Sequence, residues 1–216
     1  MPARSQEAAR AALVKACRRL DARGLVAGAE GNVSVRLNAS SVLITPGGAR
    51  KGDLRAAHLV AIDLKTGKAR RRGTASTELA MHLAIYLARP DVTAIVHAHP
   101  PTATGFAVAR KPFPVGALAE VAGVIGPVPL VDYAPPGSKE LGRVVAKALG
   151  EADAALLSNH GAVTVGTTLD AAANLMESLE QAARILVSAH ILGGVTELSH
   201  AQVMELERGR RARRGT

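Results

Sequence analysis

The sequence predicts a single α/β domain, and three observations carry that prediction. Short apolar runs bounded by turn residues alternate with Ala- and Leu-rich stretches of helical periodicity. No linker, internal repeat or low-complexity stretch interrupts the alternation. A length of 216 residues suits one domain, at most two, with a large core. Aromatic residues make up only 2% of the chain and Trp is absent, so the core must be packed from Ala, Val, Leu and Ile.

Residues 4–23 read as a helix with Gly24 as its stop. Val33–Leu37 and Val42–Thr45 read as strands joined by the turn Asn38-Ala39-Ser40-Ser41, and Leu59–Leu64 as a third strand. A helix from near Ser76 to Ala88 is closed by Arg89-Pro90, because the residue before proline avoids helical geometry. Val92–Val96 is a buried strand that runs into His97-Ala98-His99-Pro100, with a helix over 101–109 behind it. The Pro- and Gly-rich segment 111–137 contains at least the strand Val128–Val131. A helix over 138–149 leads to the strand Ala154–Ser158, and Ala162–Val165 continues the sheet. Thr167-Thr168-Leu169-Asp170 has capping-box spacing. The helix it opens lines up Leu169, Ala173, Met176, Leu179, Ala183 and Leu186 toward the core or a second subunit. Residues 1–207 form the body, and 208–216 are expected to be a disordered basic tail.

Charge narrows the function classes. The net charge is +9, but five arginines lie among the last nine residues, and without them it is 9 − 5 = +4. No aromatic residues accompany the tail to stack on bases, which argues against nucleic acid. A mildly basic body suits a phosphorylated small molecule. The single Cys17 excludes an internal disulfide and fits a reducing cytosol. No apolar run approaches the roughly 20 residues that span a bilayer, and the polar N-terminus lacks a signal-peptide core, so a cytoplasmic protein without a membrane partner is expected.

Three histidines carry the chemistry. Residues i and i+2 of a strand share a face, so His97 and His99 project side by side. His160, after the apolar run 154–158, can reach the same point from a neighbouring strand. Three protein ligands with a fourth position open is the pattern of a catalytic zinc, although on spacing alone a chance pair of histidines serves as well. His82 stands one helical turn beyond Glu78 and suits a supporting role. His58, His190 and His200 have no motif around them.

Five motifs in order make a more specific pattern: Gly31-Asn32-Val33-Ser34, Ile44-Thr45-Pro46-Gly47-Gly48, Ser76-Thr77-Glu78, His97-Ala98-His99-Pro100 and Asn159-His160-Gly161. Together they resemble the class II (zinc) aldolase/adducin family over roughly residues 5–195. The resemblance implies a three-layer α/β/α domain around a mostly antiparallel central sheet. It implies one zinc per subunit held by His97, His99 and His160, with Glu78 as a fourth ligand at rest and as the catalytic acid–base. Gly31, Asn32, Gly47, Gly48, Ser76 and Thr77 would cradle a substrate phosphate. The implied reaction is reversible cleavage of a phosphorylated ketose through a metal-stabilised enediolate. L-fuculose 1-phosphate is the expected substrate, giving dihydroxyacetone phosphate and L-lactaldehyde, in a homotetramer with its active site at the subunit interface. Ser-Thr-Glu matches the aldolase branch better than the Ser-Ser-Asp of the epimerases. Epimerase, sugar-acid-phosphate decarboxylase and methylthioribulose-phosphate dehydratase activities are the alternatives within the family. A non-catalytic adducin-like domain would be expected to lack the metal ligands. Once released from a metal into a drier pocket, Glu78 should have a raised pKa.

Two features depart from the fuculose branch. Ala29-Glu30 precede Gly31-Asn32, and a carboxylate there repels phosphate unless it meets a cation. That branch uses one tyrosine in the loop matching 111–126 and another near the C-terminus to handle the aldehyde oxygen. The only tyrosines here are Tyr86 and Tyr133.

Overall fold

Alternation along the strands divides the core into two layers, as seen in a computed structural model that describes residues 3–70 and 73–214. The chain runs α1 (Ala3–Ala22), β1 (Asn32–Asn38), β2 (Ser41–Ile44), β3 (Val60–Asp63), α2 (Leu79–Ala88), β4 (Ala94–Ala98) and α3 (Pro101–Val108). It continues with β5 (Leu130–Val131), α4 (Lys139–Leu149), β6 (Ala154–Leu157), β7 (Gly161–Gly166), α5 (Leu169–Ile191) and α6 (His200–Arg214). Ala94, Val96 and Ala98 of β4 pack with Leu13, Ala103 and Met176 of α1, α3 and α5. Ile95, between them, turns to the other face with Met81 and Ile85 of α2 and Leu141 and Val145 of α4. This is the three-layer α/β/α arrangement. The central β4 is hydrophobic on both faces because both are covered.

The sheet order is β3-β2-β1-β4-β7-β6-β5. Every neighbouring pair is antiparallel except β5 and β6, which helix α4 connects as a parallel crossover. Asn32 lies opposite His97 across β1 and β4, and His97 lies opposite Val163 across β4 and β7. The site residues therefore collect where the ends of three adjacent strands meet.

Several sequence expectations change. The strand over 128–131 shrinks to Leu130–Val131, because Pro127 and Pro129 lack the donors a ladder needs. Helix α2 begins at Leu79, with Glu78 as its N-cap residue. The cap of α5 is Thr168, whose side chain accepts from Ala171 N, rather than Thr167. The basic tail is not disordered through 208–214: those residues complete α6. Leu206 lies over Gly123, and a Cβ on Gly126 would meet the Arg210 guanidinium at 2.6 Å, so glycines in the 115–126 segment leave room for this helix. Arg210 is buried as a result. Residues 215–216 of the expected tail lie outside the described residues.

Candidate metal centre and substrate cavity

His97, the penultimate residue of β4, lies on the face covered by α2 and is fully buried. Its Nδ1 is 2.9 Å from the Ala162 carbonyl oxygen, an acceptor, so Nδ1–H donates there and the ring is turned with Nε2 toward Glu78 and His99. His99 lies just past the strand, tied by its backbone N–H to Leu25 O at 3.0 Å. His160 sits in the turn between β6 and β7 rather than on a strand, and Asn159 before it has a positive φ of 56°. Gly161 makes this approach possible, since a Cβ there would lie 2.5 Å from Ala98 O and 2.7 Å from His99 Cδ2.

The three imidazoles face one another, and Glu78 closes the group. His99 Nε2 is 3.2 Å from His97 Nε2. Glu78 Oε2 is 2.8 Å from His97 Nε2, and Oε1 is 3.3 Å from His160 Nε2. Neighbouring ligand atoms of a tetrahedral zinc are about 3.3 Å apart, given bonds of roughly 2.0–2.1 Å. Ring nitrogens with lone pairs facing each other repel unless a cation lies between them, and this donor set fits a divalent ion. His97, His99 and His160 can hold a metal ion, with their ligand atoms all within 4.8 Å of one another. Burial and the nearby His97 lower the pKa of His160 to about 4 against the pull of Glu78, and lower that of His99 as well. Both are therefore neutral and able to ligate at neutral pH.

A buried hydrogen-bond chain holds Glu78. Asn32 Nδ2 donates to Glu78 Oε2 at 2.9 Å, and Asn32 Oδ1 lies 2.5 Å from His82 Nε2. His82 Nδ1 lies 2.6 Å from Ser34 Oγ, which is 2.9 Å from Tyr86 Oη. One set of roles satisfies every member: Tyr86 donates to Ser34, Ser34 to His82, His82 to Asn32 and Asn32 to Glu78. Burial pushes the Glu78 carboxyl up, but His97, Asn32 and His160 outweigh it and hold the pKa well below the carboxylate range. In this position the direction is opposite to the rise expected after release from a metal.

The other predicted residues line one cavity of ≈210 Å³: Gly31, Asn32, Gly47, Gly48, Ser76 and Thr77 surround it together with Glu78, His99 and His160. Gly31, at φ +70°, presses the loop so closely on β4 that a Cβ would lie 2.8 Å from His97 O. A larger groove between α3 and α5, of ≈850 Å³, contains none of the predicted residues. Sequence reasoning missed Lys51, whose buried Nζ donates to Ala29 O at 2.9 Å and Ala49 O at 2.7 Å, tying two cavity loops together. It also passed over Ser34 and Tyr86. Tyr86 is buried behind Ser34 and Tyr133 is 56% exposed, and neither lines the cavity.

Known proteins resemble this chain over most of its length. Residues 11–187 match the family described as class II aldolase and adducin N-terminal domain. A 3-oxo-tetronate 4-phosphate decarboxylase of Pectobacterium atrosepticum is 36% identical over 190 residues, covering 84% of this chain and 85% of its own. An L-fuculose phosphate aldolase of Haemophilus influenzae is 35% identical over 170 residues, covering 78% and 77%. A solved L-fuculose 1-phosphate aldolase superposes with a TM-score of 0.87 at 30% identity, over 94% of this chain and 96% of its own.

Proposed function

The chain belongs to the class II aldolase and adducin family and is an enzyme of its lyase chemistry, and from this premise we propose that it cleaves a carbon–carbon bond beside the carbonyl of a sugar phosphate. The observation that carries the reading is the Glu78 carboxylate, buried between His97 and His160 and aimed by Asn32. The proposed substrate is L-fuculose 1-phosphate, and the products are dihydroxyacetone phosphate and L-lactaldehyde. The proposed cofactor is one Zn2+ per subunit on His97, His99 and His160; when bound it supplies a Lewis acid for the ketose oxygens.

The chain's own groups do the rest. The phosphate rests on the loops of Gly31 and Asn32 and of Gly47 and Gly48, with the Ser76 and Thr77 hydroxyls as donors. Those contacts orient C3 toward Glu78. When the C3–C4 bond breaks, its electron pair stays with C3, the O4 hydroxyl proton passes to water as the aldehyde carbonyl forms, and a proton carried by a Glu78 carboxyl oxygen is delivered to C3. In the synthetic direction the same oxygen removes that proton. Strand β4 and helix α2 keep water from the inner side of Glu78, which is only 6% exposed.

A second reading is decarboxylation of a sugar-acid phosphate. The absence of tyrosine from the cavity favours it, since departing CO2 leaves no hydroxyl proton to be taken from an aldehyde oxygen. Among the described residues no helix is long and apolar enough to cross a membrane, in keeping with a cytoplasmic enzyme. Exposed Val187, Ile191 and Leu192 at the end of α5 suit a subunit contact in the proposed homotetramer. The test is NMR of L-fuculose 1-phosphate with zinc-loaded protein and a Glu78→Gln control. Cleavage by the parent that is lost in the variant is expected. An intact substrate, together with CO2 release from 3-oxo-tetronate 4-phosphate, would favour the second reading.

A further inference from the structure

Apart from Glu78, Glu30 is the only acidic or basic Asp, Glu, Lys or Arg side chain lining the cavity among the described residues. Its neighbours there are glycines, hydroxyls and imidazoles, which suit an anion. A carboxylate in this company costs the site some attraction for phosphate. Its position is nevertheless held on both flanks. Glu30 N donates to Ala27 O at 2.9 Å, and Lys51 grips the preceding Ala29 carbonyl. On the other side Gly31 packs against β4 too closely for any Cβ.

The fixed backbone sets the Glu30 Oε2 3.3 Å from His99 Nδ1. On the other side of that ring, His99 Nε2 faces His97 Nε2. An acceptor at Nδ1 draws the imidazole proton to that nitrogen and leaves Nε2 with its lone pair. For His97 the Ala162 carbonyl does this work. His99 lies beyond the end of its strand, where no ladder carbonyl faces it, and Glu30 supplies the acceptor instead.

We propose that Glu30 is a positioning residue for the metal centre: its carboxylate accepts the His99 Nδ1 proton and turns a deprotonated Nε2 toward the point shared with His97 and His160. The inference rests on the metal-centre reading above and goes beyond it, because Glu30 stands outside the predicted ligand and phosphate sets. It also accounts for a carboxylate beside a phosphate cavity, since its charge is directed to an imidazole.

The test is titration of the metal-free full-length protein with Co2+ in competition with a chelator, followed by cobalt d–d absorption. Glu30 is half-exposed on a loop, so its variants keep the core intact. Glu30→Ala should bind Co2+ about 10–100-fold more weakly, the usual loss when a partner behind a histidine ligand is removed. Glu30→Gln, whose amide oxygen still accepts from Nδ1, should stay within about threefold of the parent. Parent-like binding by Glu30→Ala, with binding lost in His99→Ala, would overturn the proposal and leave the metal centre standing. Equal losses in the Ala and Gln variants would overturn orientation through a hydrogen bond. Parent-like binding by His99→Ala would overturn the metal centre and this inference with it.

Discussion

The role proposed for Glu78 depends on the amide that holds its carboxylate. Asn32 has one donor on Glu78 and its acceptor on His82, so flipping or losing the amide breaks both contacts at once. Asn32→Leu should lower stability by about 1–3 kcal/mol, because His82 Nε2–H is left buried without an acceptor, and turnover should fall with it. A lower thermal midpoint together with a lower kcat checks this. His82 also sets a pH dependence. Burial lowers its pKa to about 3, with His97 adding to the effect and Glu78 opposing it. Between pH 6.5 and 3 the unfolded chain therefore binds a proton that the folded chain refuses, and stability falls as pH drops through that window. The slope from this group reaches about 1.4 kcal/mol per pH unit. Urea unfolding of metal-free protein from pH 7 to 4.5 should show it together with the same-sign slopes of His99 and His160, and His82→Asn should reduce the total slope. The depressed Glu78 carboxyl acts in the same direction, but only below the ordinary carboxylate range near pH 4–5. In the sequence, strand alternation suggested that His97 and His99 share a face, and the ordered motifs around them made the pair legible as ligands. Ser34, Tyr86 and Lys51 were not, since nothing local separates them from an ordinary strand serine, helix tyrosine or loop lysine.

Helix ends decide how the site is held. Pro101 opens α3 directly after the His97-Ala98-His99 segment, and that helix start has no cap of its own. Glu180 of α5 supplies one across the core. Its carboxylate accepts from Thr102 N and Ala103 N at 2.9 Å each and from Thr102 Oγ1 at 2.8 Å. Glu180→Ala should cost about 2–3 kcal/mol, as buried donors lose their acceptor. It should also loosen His99, two residues before the helix. Glu180→Gln, which keeps an acceptor, should cost less, and chemical denaturation of the two variants checks the order. The element reading from sequence worked where periodicity and proline agreed, as in the closure of α2 at Arg89-Pro90. It slipped at α5, where adjacent threonines offered two caps and Thr168, with an extended backbone, is the one whose side chain accepts from Ala171 N. It missed α6 because the arginine count masked Val203 and Leu206, which lie against Gly116 and Gly123. Contacts with distant glycines leave no local signature.

On the scale of the molecule, the fold brings five separated motifs to one point. β4 carries His97, its antiparallel neighbours bring Asn32 on one side and His160 on the other, and α2 lowers Glu78 onto the group from one face. The three-layer architecture followed from the resemblance rather than from periodicity, which yields strands and helices but not their order in a sheet. The ligand set was legible for the same reason, as ordered motifs. The Glu30 contact was visible only as a departure from the family pattern, and its partner emerged from the packing of the Gly31 loop against β4. Aldol cleavage and decarboxylation differ in the leaving group, but each asks Glu78 to move a proton at the same carbon of dihydroxyacetone phosphate. The most direct measurement is therefore NMR of dihydroxyacetone phosphate alone in D2O with the zinc-loaded protein. Stereospecific replacement of one C3 hydrogen by deuterium, abolished in Glu78→Gln, is the predicted result. Absence of exchange from metal-loaded parent protein, or exchange undiminished in Glu78→Gln, would contradict the role assigned to Glu78.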